Sequence, residues 1–121
     1  MTETFWQRVL KFNDEHFPNW RKVSLLYYAT ALGGETGEVQ NAVKHLIGGG
    51  TNRPFPEMSF FEEGMNKIAE ECVDLRIYID LLLARLGFTE EQFEQVVNRK
   101  YAELEARMKD KVRLLPEEAS E

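Results

Sequence analysis

The sequence predicts an all-α fold, a four-helix bundle assembled as a homo-oligomer, and three observations lead there. Apolar residues recur at helical spacing in four segments. The segments break at Pro18, at Gly48-Gly49-Gly50 and at Gly87, residue types that stop helices. No segment reads convincingly as a strand.

The first helix is expected from about Thr2 to Glu15, with Phe5, Val9, Leu10 and Phe12 at helical spacing. Thr2 or Thr4 can cap it, and Pro18 ends it. The second is expected from about Lys22 to Leu46, stopped by the glycine triplet. Its interior pair Gly33-Gly34 costs roughly 1 kcal/mol per glycine relative to alanine, a cost often tolerated where something approaches the backbone closely. Gly48 to Met58 reads as a loop from its Gly and Pro content. The third helix is expected from about Ser59 to Leu86, with Ser59 as cap and Glu62 three residues on. Thr89 and Gln92 form the capping box of a fourth helix, expected over about 89–109, and the tail after about 113 reads as frayed and disordered. At 121 residues, 1–121 is expected to form a single domain. The third helix is apolar over most of its circumference, from Ile68 through Leu75, Ile77, Tyr78 and Ile79 to Leu86. Such a helix is buried on all sides, here between its own bundle and a neighbouring subunit.

Composition narrows the function classes. A formal net charge of -6 argues against a nucleic-acid-binding surface. It still permits phosphate binding when metal cations sit between the two negative partners. One cysteine, Cys72, excludes an internal disulfide framework and fits a reducing compartment. Its apolar helical neighbours predict a buried, inert thiol. The N-terminal run MTETFWQRVLKF lacks the apolar core of a signal peptide. The apolar stretch Ile77 to Leu83 is interrupted by Asp80 and too short to span a bilayer. The expectation is a soluble, cytoplasmic protein with no membrane partner.

Chemistry concentrates in two pairs of acids. Glu35 and Glu38 stand i,i+3 on the second helix, and Glu71 and Asp74 repeat that spacing on the third. At about 100° per residue, the stripe of Leu25, Tyr28, Leu32, Val39, Val43 and Leu46 lies close beside Glu35, with Glu38 about 60° further round. Either pair alone is common on a solvated helix face. Two pairs on successive core helices are a different matter, because clustered carboxylates among apolar residues require a partner or a cation. Hard oxygen ligands suit Mg²⁺ or Mn²⁺.

The runs ALGGETGEVQNAVKHL and IAEECVDLRIYIDLLLARLGF resemble the MazG-like nucleoside triphosphate pyrophosphohydrolases, whose signature is EExxE, a spacer and ExxD. The resemblance spans about Trp20 to Met108 and departs at Gly34, where the signature has its first glutamate. It implies Glu35, Glu38, Glu71 and Asp74 as metal ligands, and hydrolysis of a (d)NTP between the α- and β-phosphates to the monophosphate and pyrophosphate. A nucleotide-pool house-cleaning role follows from the same likeness, as does assembly as a dimer of dimers. Glu38 is the ligand assigned to orient or deprotonate the attacking water. Lys44, Lys100 and Arg107 are candidates for the phosphates, against solvated surface cations. His16, Trp20, Tyr78 and Asn98 are candidates for base and sugar. For Trp20 the alternative is a core or interface position, and for His16 a cap or surface role. Phe17 and Asn19 stand in the same region.

Two rivals differ in kind. A di-iron carboxylate bundle uses Glu-x-x-His pairs, and neither histidine has one, because Asn13 precedes His16 and Ala42 precedes His45 by three. A non-catalytic oligomerisation or nucleotide-sensing module on the same fold is the second, favoured by Gly34. Phosphoribosyl-ATP pyrophosphohydrolase, within the same superfamily, is the less similar pattern.

Overall fold

The computed structural model describes residues 2–51 and 58–113. They form four α-helices and one 3₁₀ turn, and no strand occurs among the described residues. In chain order these are α1 (Phe5–His16), the 3₁₀ turn (Pro18–Arg21), α2 (Leu25–Thr51), α3 (Met58–Arg85) and α4 (Glu90–Arg113).

Local chemistry sets the helix ends. Thr4, rather than Thr2, caps α1: its Oγ1 accepts the Gln7 N–H at 3.1 Å while Gln7 Oε1 accepts the Thr4 N–H at 3.0 Å. The helix stops as the Phe17 N–H donates to the Asn13 carbonyl, and Pro18 starts the 3₁₀ turn. Ser24 opens α2 by accepting the Tyr27 N–H at 3.2 Å, so the helix begins three residues after the expected Lys22. At its other end α2 runs through Gly48 to Thr51. A glycine stop requires the left-handed conformation, and among the described residues only Gly87 takes it, at φ 97°. The expected loop from Gly48 to Met58 thus shares its first residues with α2, and residues 52–57 lie outside the described residues. α3 begins at Met58, which places the expected cap Ser59 inside the helix. The tail beyond residue 113 also lies outside the described residues.

The chain divides after Gly87 into two compact units. In the first, α2 and α3 run antiparallel, as three tie points show. Arg85 Nε donates to the Val23 carbonyl at 2.9 Å, Glu35 meets Glu71 and Asp74, and Leu46 lies against Gly64. At that last point Leu46 Cδ1 stands 2.6 Å from where a Cβ on Gly64 would be. Close backbone approach therefore falls on Gly64, while Gly33 and Gly34 have open space around them.

The core of this unit is small. Val9, Trp20, Tyr28 and Leu81 are buried together, with Phe5, Val23, Ile77 and Leu82 packed around them. Buried polar groups are partnered, as interiors require: the Tyr28 hydroxyl donates to the Trp20 carbonyl at 2.7 Å, and Asn13 Nδ2 donates to the Val9 carbonyl at 2.8 Å. Asp14 accepts from the Trp20 indole at 2.8 Å and from Arg21, whose guanidinium lies over the Trp20 ring.

Many large apolar side chains stay exposed, among them Leu26, Ile47, Met65, Val73 and Ile79 on α2 and α3. Cys72 is exposed too, not buried as its neighbours suggested. Glu71 takes the inward position, and a helical neighbour is turned about 100° away. In the second unit, Thr89 and Gln92 form the expected reciprocal cap at 2.9 and 3.1 Å. α4 presents Tyr101, Leu104, Met108 and Val112 to solvent at helical spacing. No described helix is long and apolar enough to cross a membrane.

Tyr28→Phe should cost about 1–2 kcal/mol in urea unfolding, because the buried Trp20 carbonyl loses its donor. A change below about 0.5 kcal/mol would mean that this bond contributes nothing net to the core.

Candidate metal centre

The antiparallel register places the middle of α2 against the middle of α3. Carboxylate oxygens of Glu35, Glu71 and Asp74 lie within 4.8 Å of one another. The three differ in setting, with Glu71 buried at 7 % exposure, Glu35 half-buried and Asp74 exposed. Burial first, then the charges of Asp74, Glu71 and Glu38, hold the Glu35 carboxyl above its usual value of 4.5. Glu38 adds its charge from one turn along but stands exposed, outside the cluster. The same i,i+3 offset keeps Asp74 with Glu71, so the register of α2 on α3, rather than the rotation alone, leaves Glu38 out of the cluster.

One cation already touches this cluster. Lys67, one turn before Glu71 on α3, places Nζ 2.8 Å from Glu71 Oε1. That hydrogen bond and the Glu71 charge raise the ammonium above its usual 10.5, with Glu70 and Glu38 adding to the field. Sequence reasoning did not single out Lys67, although the i,i+4 spacing to Glu71 was a readable signal.

A cavity of about 770 Å³ opens beside the carboxylates, and Glu35 and Asp74 form part of its lining. His16, Phe17, Asn19 and Trp20 line it too, as do Phe12 and Asn13 of α1. The Phe12 and His16 rings lie 4.5 Å apart, and those of Phe12 and Phe17 6.3 Å apart. Tyr27, Tyr28 and Tyr78 also line the cavity. Tyr78 is pushed up to about 12, first by its hydrogen bond with Tyr27, then by burial and the nearby charge of Glu35.

The expected site residues distribute unevenly. His16, Trp20, Tyr78, Glu35 and Asp74 share the cavity lining. Trp20 is only 4 % exposed and its indole N–H is taken by Asp14, so it forms the cavity floor as a member of the core. Phe12, 54 % exposed, faces the cavity rather than the core. Tyr27 was missed because the apolar periodicity selects Tyr28; adjacent helical residues point about 100° apart, and here one fills the core while the other faces out. Lys44 is exposed on α2, outside the cavity lining. Asn98, Lys100 and Arg107 are exposed on α4 in the second unit, where Lys100 lies 4.0 Å from Glu103.

No family model, curated protein or solved structure matches this chain. The chemistry of the donor set is therefore the guide. Three hard oxygen donors on two helices, one of them with its proton affinity raised by burial and by its acidic neighbours, suit a divalent cation that keeps water or phosphate in its remaining positions.

The sign of the Glu35 effect gives a test on metal-free protein. A carboxyl raised in the folded state makes the fold lose stability as pH climbs from the ordinary carboxylate range through the raised value. In EDTA, Glu35→Gln should melt above wild type at pH 7, and the gap should vanish near pH 3.5, below the usual range of about 4–4.5. An equal gap at both values would rule out charge crowding as its source.

Proposed function

We propose that this chain is a Mg²⁺-dependent nucleoside triphosphate pyrophosphohydrolase of the MazG-like kind, cleaving a (d)NTP between its α- and β-phosphates to (d)NMP and pyrophosphate. The observation that carries the reading is a cavity whose lining includes two carboxylates of the acidic cluster, Glu35 and Asp74, and the neighbouring rings of Phe12, His16 and Phe17. A nucleotide has that polarity, anionic at the polyphosphate and flat and apolar at the base. The likeness of the two-part acidic motif, which supplies these same carboxylates, to that family supports the reading.

Glu35, Glu71 and Asp74 would hold Mg²⁺, or Mn²⁺ in its place. When bound, such an ion neutralises phosphate charge and lowers the pKa of a coordinated water. Glu38, exposed and one turn from Glu35, orients or deprotonates the attacking water. Phe12, His16 and Phe17 offer ring faces to the base, Asn19 offers hydrogen-bonding groups to its edge, and Tyr78 faces the sugar. The exposed apolar side chains of α2 and α3 support a homo-oligomer, a dimer of dimers in this reading, because large exposed apolar surface marks an interface.

One observation favours the alternative, a non-catalytic nucleotide-sensing or oligomerisation module. Lys67 compensates the buried Glu71 without any metal, so burial of the acid alone does not demand an ion.

Pyrophosphate release from a panel of (d)NTPs decides between them. Release should require Mg²⁺ or Mn²⁺, stop in EDTA, and fall about a hundredfold or more in Glu71→Gln and Glu38→Gln. Metal-dependent nucleotide binding with no release from any member of the panel would select the sensing module.

A further inference from the structure

The Lys67–Glu71 pair has a geometry that an ordinary surface ion pair lacks. One partner is long and solvated, the Lys67 side chain being 62 % exposed, while the carboxylate it grips is 9 % exposed and sits within the acidic cluster. A solvated four-carbon arm can swing away at little steric cost. The buried carboxylate cannot follow it, because α3 packed on α2 fixes its position. The ammonium also lies in the field of Glu70 and Glu38, so other acids can receive it when it leaves Glu71.

From this we infer that Lys67 is an exchangeable internal cation, which occupies Glu71 in the metal-free protein and must release it for the divalent ion to bind. The inference rests on the metal-centre reading above and adds a regulatory residue to it. Lys67 keeps the three acids compatible with folding when metal is scarce, and it sets the concentration at which the site fills. The ion and the ammonium both draw on the single negative charge of the Glu71 carboxylate and repel each other beside it, so they compete. Apparent metal affinity is then reduced by the fraction of protein in which Lys67 holds Glu71.

The test is direct Mn²⁺ and Mg²⁺ titration by calorimetry and electron paramagnetic resonance on nucleotide-free full-length protein, with thermal melts in EDTA and in excess Mg²⁺. Lys67→Met should bind Mn²⁺ about three- to tenfold more tightly than wild type, the range expected for losing one charge-assisted competitor. Lys67→Arg should stay within twofold of wild type. Lys11→Met, which removes the same charge from an exposed position on α1, should leave affinity unchanged. In EDTA, Lys67→Met should melt below wild type, and excess Mg²⁺ should close that gap. Mn²⁺ binding by Lys67→Met with none by wild type would be the strongest form of the same result. Equal affinities in wild type and Lys67→Met, or equal tightening in Lys11→Met, would overturn the inference while leaving the metal centre standing. No binding in any variant would remove the metal centre and this inference together.

Discussion

Like charges held together at a helix–helix contact are the constraint on which the rest of this structure depends. Glu35, Glu71 and Asp74 approach one another because α2 and α3 are locked in one antiparallel register. That lock has a tie at each end, the Arg85 hydrogen bond to Val23 and the close approach of Leu46 to Gly64. Neither helix can rotate to separate the acids without unpacking an apolar contact elsewhere. The repulsion is met instead by a raised Glu35 carboxyl and by a cation of the molecule's own, Lys67.

The aromatic side of the cavity follows from a second local arrangement. Asp14 accepts from both Trp20 and Arg21, which folds the 3₁₀ turn back on α1 and sets Trp20 into the core. Tyr28 then reaches the Trp20 carbonyl from α2 and joins the two segments. Phe12, His16 and Phe17, from the end of α1 and the residue that follows it, bring their rings together in the cavity lining. The cavity is thus lined by residues of the charged helix pair and of an aromatic corner that are fixed by separate interactions.

The proposed activity and the role given to Lys67 draw on the same electrostatics. A site of three acids is costly when empty, and a protein that must fold before meeting its metal benefits from an internal counter-ion. The same counter-ion explains why the acidic motif by itself is an incomplete argument for catalysis. What favours an enzyme is the motif together with the cleft beside it.

Much of this molecule was legible in the sequence. Helical spacing and local stop signals are read within a few residues, so the four helices, a threonine cap at Thr2 or Thr4, the Thr89 cap and the Gly87 stop could be seen in advance. The two acid pairs were also visible, since i,i+3 spacing is a property of one helix. What a sequence does not carry is the register between helices. That register chose Glu35 over Glu38, put close approach at Gly64 rather than at Gly33-Gly34, and turned Cys72 outward. Tertiary packing likewise separated Tyr27 from Tyr28 and made Trp20 a floor rather than a free ring. Periodicity names the face of a helix, but only the partner helix decides which residues on that face meet, because convergence depends on two rotations and one translation that no local pattern encodes.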